Sequence, residues 1–158
     1  MEKNMINIEL AKDGELNEIN KIAKQVHDLH VKWRPDIFYE VEEVISKEMF
    51  NQLIENNQIY VVKEEKNIIG YAIINIKERK NIPGLYDRKI LDLEAIAIDS
   101  KFRNKGIGTE FIKYIVNIGK KQGCTDLYLS VNEENINAKR CYEKIGMKVK
   151  NIKYSMKI

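Results

Sequence analysis

Arg103-Asn104-Lys105-Gly106-Ile107-Gly108 sets two glycines and two cations at the start of a long apolar-periodic stretch. Glycine has no Cβ, so backbone N–H groups around Gly106 and Gly108 can come close to an anion. The first turn of a helix adds unpaired N–H groups and the positive end of the macrodipole. Arg103 and Lys105 bring mobile positive charge beside it, and a pyrophosphate is the natural guest. The spacing fits neither the G-x-x-x-x-G-K-[ST] loop nor the G-x-G-x-x-G dinucleotide fingerprint. By itself the hexapeptide also fits a loop that merely starts a helix. A second constellation lies downstream, Asn135-Ile136-Asn137-Ala138-Lys139-Arg140-Cys141-Tyr142 followed by Gly146-Met147. A third is a pair of carboxylates, Asp92 and Glu94, in the otherwise apolar run Ile90–Ile98. Two residues apart on a strand they share a face, where a carboxylate can take a proton or hold a cation.

These groups need a frame. Ile6, Ile8 and Leu10 alternate as a first strand. Asp13 is the expected N-cap of a helix that carries Leu16, Ile19, Ile22, Val26 and Leu29 on one side. Pro35 disfavours helical geometry at Arg34 and stops it. A second amphipathic helix is expected from Val41 to Ile54. Tyr60–Val62 and Ile68–Ile76 read as a hairpin around Glu65-Lys66-Asn67, and Pro83-Gly84 suits the centre of a type II turn. Ile90–Ile98 is the next strand, Gly106 to Gln122 a long helix and Asp126–Asn132 an alternating strand. Asn135–Ile145 is a shorter helix closed by Gly146, and Met147–Val149 and Tyr154–Met156 are expected as short terminal strands. The order β-α-α-β-β-β-α-β-α-β-β predicts a mixed α/β sheet with helices on both faces, parallel around the long helix and antiparallel at the hairpin.

Composition narrows the function. The 158 residues suit one domain, 1–158, with a core that needs no staples. Lys+Arg 27 against Asp+Glu 24 leaves a net charge of +3, spread along the chain, which is no footprint for a nucleic-acid binder. The longest apolar stretch, around Ile68 to Ile74, is far short of the ~20 residues of a membrane span. The opening Met-Glu-Lys-Asn-Met-Ile-Asn leads into no apolar export segment. Cys124 and Cys141 are then expected as reduced thiols in the cytoplasm. Cys141 has no His or Asp partner placed to activate it, and it reads as a small buried helix residue. His27 and His30, the two histidines, stand three apart and make a poor metal site, so no metal is expected.

Together the two glycine and Asn/Tyr segments resemble the GCN5-related N-acetyltransferases. That family's acetyl-CoA loop reads [RQ]-x-x-G-x-[GA], and its later segment N-x-x-A-x-x-x-Y then G-[FM]. Arg103, Gly106 and Gly108 match the first, and Asn135, Ala138, Tyr142, Gly146 and Met147 the second. The resemblance covers nearly the whole chain and implies acetyl-CoA as cosubstrate and an amine as acceptor. It implies two parallel strands, Ile90–Ile98 and Asp126–Asn132, that splay at their C-terminal ends. Pantetheine would bond to backbone around Ile96, Ala97 and Ile98, and pyrophosphate to amides of Arg103, Asn104, Lys105, Gly106, Ile107, Gly108 and Thr109. Asn132, Asn135 and Ala138 would complete the CoA site.

Chemistry then asks for few parts. An alkyl ammonium of pKa ~10 must lose its proton before it attacks a thioester. Glu94 is the candidate base, where the family often places its acid, with Asp92 beside it as base or cation holder. Tyr142 is the candidate acid for the departing thiolate, as the resemblance implies, and a backbone N–H near Ile96–Ala97 could serve the oxyanion. Residues after the first helix border the acceptor in this family, so His30, Trp33, Arg34, Phe38 and Tyr39 are expected to shape acceptor recognition, with the loop Arg79–Lys89 contributing. The rival is a non-catalytic acyl-CoA binding module of the same fold. A terminal strand from Tyr154 would offer an edge for a homodimer.

Overall fold

A computed structural model describes residues 5–158, so the first four residues of the opening segment read for an export signal lie outside the described residues. Strand β1 (Ile6–Leu10) leads into helices α1 (Leu16–Trp33) and α2 (Lys47–Glu55). Strands β2 (Ile59–Glu64), β3 (Asn67–Arg79) and β4 (Arg88–Ile98) follow, and then a 3-10 turn, Ser100–Phe102. Helix α3 (Ile107–Lys121), strand β5 (Asp126–Leu129) and helix α4 (Ile136–Ile145) complete the order. The strands lie side by side as β1-β2-β3-β4-β5, antiparallel throughout except for the parallel pair β4–β5. The crossover through α3 is what makes that last pair parallel.

Alternation along the inner strands feeds two cores. Ile59, Val61, Tyr71, Ile73 and Ala97 pack with Ile19, Ile22 and Ala23 of α1 and Phe50 and Leu53 of α2. Val62, Ile69, Ile74, Leu91 and Leu93 pack on the other face with Ile107, Phe111, Ile112 and Ile115 of α3, joined by Tyr142 and Ile145 of α4. Phe50 and Phe111 are fully enclosed, each contributing roughly 1.5–3 kcal/mol relative to exposure. The mixed α/β sheet with helices on both faces is as expected. The hairpin turns at Glu65, which adopts a left-handed φ of +56°. At the Pro83-Gly84 turn, Leu85 N–H donates to Ile82 O at 3.0 Å and Gly84 has φ +81°, the geometry of a type II turn.

Several elements differ from the sequence expectation. Asp13 does not cap α1; Glu15 stands at the N-cap, and its carboxylate instead accepts from Lys12 N and pairs with Lys63. Helix α2 starts at Lys47, not Val41, because Ser46 caps it by accepting from Met49 N. The segment 41–46 is held open by Asn20, whose side chain donates to Ile45 O and accepts from Ile45 N, both at 2.9 Å and buried. That amide gives the backbone the partners a helix would have supplied. Strand β5 ends at Leu129 rather than Asn132. Residues 147–158 form no strand: Val149, Ile152, Tyr154 and Met156 are all exposed, and a period of two signals a strand only where one face is buried. The Tyr154 edge expected to serve a homodimer is therefore absent among the described residues.

Candidate active site

Strands β4 and β5 stay in register from Ile90↔Asp126 to Leu93↔Leu129 and no further. Beyond Leu93, β4 continues to Ile98 beside β3 while the chain leaves β5 at Ser130, so the parallel pair splays apart at its C-terminal ends. A β-bulge sits at the fork. Ile73 pairs with Ala95 and Ile74 with Leu93, which leaves Glu94 as the extra residue. A bulge bends its strand and re-aims a side chain. Before it, Leu91 and Leu93 face α3; after it, Ile96 and Ile98 do, and Ala95 and Ala97 turn to the α1 side.

The gap opens into a cleft lined from β4 by Glu94, Ala95 and Ile96 and from the β5 side by Ser130, Asn132 and Asn135. Tyr142 closes it from α4, and Ala23, Val26, His27 and His30 of α1 close it from the other side, with Val44 and Tyr71. Glu94 and Tyr142, distant in sequence, thus share one cleft, as do His30, Ile96, Asn132 and Asn135. Asp92 is not in its wall. The Asp92 carboxylate accepts from Lys77 Nζ at 2.7 Å, and this pairing raises the Lys77 pKa.

Tyr142 is held by the end of its own helix. Gly146 (φ +106°) lets its N–H reach Glu143 O, while Met147 N–H reaches Tyr142 O, both at 3.0 Å. This is the Schellman closure, in which glycine takes the left-handed position, and it gives Gly146-Met147 a structural reason. At the other end, Asn135 caps α4 by accepting from Ala138 N at 3.2 Å. Asn132 Oδ1 accepts from Glu134 N, so both asparagines keep their NH2 groups for the cleft. Burial pushes the Tyr142 hydroxyl up to about 12, with Cys141 adding to it, so the phenol keeps its proton at neutral pH. Burial likewise lifts Tyr71 to about 12.

His30 stacks on Phe38 with ring centroids 5.2 Å apart and meets Trp33 edge-on at 5.6 Å. Burial, then the neighbouring His27, lowers its pKa, which favours neutral imidazole. His27 Nε2 lies 2.8 Å from Tyr39 O. Trp33 and Phe38 therefore stand behind His30 rather than in the cleft wall. Arg34 is engaged by Asp36 through two hydrogen bonds, of 2.9 and 2.7 Å. The sequence reading passed over Asn20 and Tyr71, and took Val44 for the buried side of a helix rather than a wall of the cleft. The available signal for Asn20 was its place on the apolar face of α1, between Leu16 and Ala23.

The anion-receptive loop lies at the far end of β4. Arg103 Nε donates to Ile98 O at 2.9 Å, and Lys105 Nζ sits 5.2 Å from the Phe102 ring centroid. Gly106 adopts φ +79° at the N-cap of α3, and the first bond within the helix is Glu110 N to Gly106 O at 3.1 Å. The amides of Ile107, Gly108 and Thr109 are left without intrahelical acceptors. A Cβ on Gly108 would meet only Ile98 Cγ1, at 3.9 Å. Packing does not demand glycine there, and the open space above the first turn fits a phosphate bound to these amides. Ala97 lies in the core, while Ile98 packs against the α3 layer between the loop and the cleft.

A splayed parallel pair, an open amide row at one end and a carboxylate and phenol facing one cleft define the N-acetyltransferase class of fold. The acetyltransferase (GNAT) family model matches residues 23–147, and the chain belongs to that family. It is 35% identical over 105 residues to glucosamine 6-phosphate N-acetyltransferase of Arabidopsis thaliana, covering 64% of this chain and 65% of that one. It is 28% identical over 83 residues to spermine/spermidine N(1)-acetyltransferase of Bacillus subtilis, covering 52% and 53%. The chain thus spans between half and two-thirds of the length of these curated relatives. Among solved structures, a tetramutant of the BH1408 protein of Bacillus halodurans superposes with a TM-score of 0.90 at 26% identity, over 96% of this chain and 99% of that one. No helix among the described residues is long and apolar enough to cross a membrane.

Proposed function

We propose that residues 1–158 form one cytoplasmic acetyltransferase domain that moves an acetyl group from acetyl-CoA to a primary amine. The observation that carries this is the meeting of Glu94 and Tyr142 in the cleft where β4 and β5 part. In this reading the amides of Ile107, Gly108 and Thr109, with Arg103 and Lys105, hold the pyrophosphate, and the open edge of β4 at Ile96–Ile98 guides the pantetheine arm. Glu94, directly or through water, takes a proton from the bound ammonium. The amine nitrogen then bonds to the thioester carbon, and a backbone N–H near Ile96 steadies the oxyanion. As the C–S bond breaks, the sulfur takes its proton from the Tyr142 hydroxyl, which regains one from solvent. As the amide forms, its nitrogen gives up a second proton to solvent, and the carboxylate releases the one it took, so the cycle releases one net proton as an ammonium becomes a neutral amide.

His30, backed by Trp33 and Phe38, bounds the acceptor side. The relatives named for a phosphorylated amino sugar and for polyamines agree on an amine acceptor and differ in what else it carries. Calorimetric titration with acetyl-CoA, with NADH and ATP as controls, tests the cradle. An amine panel read by released CoA thiol tests the transfer. Saturable binding of acetyl-CoA alone together with thiol release is the expected outcome. Binding without transfer to any amine would replace the enzyme with an acyl-CoA binding module.

A further inference from the structure

The acceptor half of the cleft is unequal in charge. Among the described residues its wall contains no Lys or Arg, and Glu94 is the single carboxylate in it. The other wall groups there are apolar (Ala23, Val26, Val44), phenolic (Tyr71) or imidazole, and burial favours the neutral form of His30. Three cations that stand close by are each paired. Lys77, which feels Glu94, donates to Asp92 at 2.7 Å. Lys24, one residue from Ala23, bonds Asp28 at 3.1 Å and Val41 O at 3.3 Å and feels Glu40 and Glu42 as well. Arg34 is held on both sides of its fork by Asp36, whose other cationic neighbour is Lys157.

An anionic group on the acceptor would lose water beside Glu94 with no Lys or Arg among the described wall residues to replace it, and a buried charge without a partner is costly. A cation in the same place gains from Glu94. We infer that this cleft selects a cationic amine whose body carries no phosphate or carboxylate. The inference rests on the acetyl-transfer reading for the identity of the cleft, but not for its charge.

Two matched pairs test it: glucosamine against glucosamine 6-phosphate, and 1,5-diaminopentane against L-lysine. Within each pair the members differ chiefly by one anionic group. The full chain, saturated with acetyl-CoA, is assayed for kcat/KM by thiol release. The chain saturated with CoA is titrated calorimetrically with the same four compounds. At least a tenfold preference for the member without the anion is expected in both pairs. Glu94→Gln lowers every rate, and the ratio within each pair falls towards one, which a purely catalytic role for Glu94 would not produce. Equal or better use of the anionic member in either pair overturns the inference, as does failure of all four to bind. Binding with the expected ratio but no thiol release would leave the charge selection standing and remove the acetyl transfer.

Discussion

Gly106 and Gly108 lie two residues apart, yet the structure assigns them different reasons for being glycine, and one pair of substitutions separates them. Gly106 has φ +79°, and a methyl group added there would find nothing within 4 Å, so Gly106→Ala meets strain and no clash. The left-handed region costs an L-residue roughly 1–2 kcal/mol. Gly108 lies in the first turn of α3 at an ordinary φ, and a methyl there meets only Ile98 Cγ1 at 3.9 Å. Alanine is favoured over glycine in a helix by up to about 1 kcal/mol, so Gly108→Ala leaves the apo protein as stable as before or slightly more so. The [RQ]-x-x-G-x-[GA] pattern admits alanine at this position, so a methyl is tolerated beside the phosphates, whereas a leucine side chain would fill the space proposed for them. Urea denaturation with and without excess acetyl-CoA reads both effects, since ligand stabilisation follows RT ln(1 + [L]/Kd). Gly108→Leu should weaken acetyl-CoA at least tenfold and so lose about 1.4 kcal/mol or more of ligand-dependent stability, while Gly108→Ala should leave the affinity nearly unchanged. Gly106→Ala should lower apo stability first. Unchanged acetyl-CoA affinity in folded Gly108→Leu would refute the loop assignment.

Three further outcomes follow from the same geometry. Tyr142→Phe should lower turnover at least tenfold with acetyl-CoA affinity within a factor of two, by thiol release and calorimetry; unchanged turnover where chemistry limits the rate removes Tyr142 as the acid. Tyr71 and Tyr142 ionise near 10 once unfolded but at about 12 in the fold. The unfolded chain releases these protons first, so the stability tied to them is complete below pH 10 and falls as pH rises towards 12. Denaturation curves from pH 8 to 11.5 check this, and Tyr71→Phe should flatten the decline. Asn20→Leu removes both partners of Ile45 and leaves a buried N–H and C=O unmatched, at roughly 1–3 kcal/mol each, offset in part by the apolar replacement. A loss of about 2–4 kcal/mol is expected in urea, with a higher KM for the amine because Val44 loses its support; a loss under about 0.5 kcal/mol would show that Asn20 does not hold segment 41–46.

The parts of the site that rest on local rules were legible in the sequence. Gly146 closes α4 and Pro83-Gly84 forms its turn as expected, because each depends on a few adjacent residues, and the same local rules give Asn135 and Gly106, read in the sequence only as CoA-binding residues, their further roles as N-caps. What was not legible depends on distant partners. Val44 and Ile45 have helical spacing with Met49 and Leu53, and the Asn20 amide, 25 residues before Ile45, holds that backbone outside the helix that Ser46 caps. The terminal alternation Ile152, Tyr154, Met156 looks like a strand in isolation, but no neighbour covers either face. Asp92 and Glu94 look equivalent on paper, and Lys77 on the adjacent strand makes them different by taking Asp92 into an ion pair.

Glu94 shows how a tertiary feature can still leave a trace in the one-dimensional pattern. In Leu91-Asp92-Leu93-Glu94-Ala95-Ile96-Ala97-Ile98, the large apolar residues fall at 91, 93, 96 and 98. An uninterrupted strand would keep a spacing of two, and the step of three between Leu93 and Ile96 requires one extra residue if all four are to face α3. They do pack in the α3 layer, and Glu94 is that extra residue. The same phase change puts Ala95 and Ala97 on the α1 side, and at Ala95, which lines the cleft with Ala23 and Val26, a larger side chain would fill it. One inserted residue therefore places the carboxylate at the fork, keeps the hydrophobic layer behind it intact and keeps the space in front of it open.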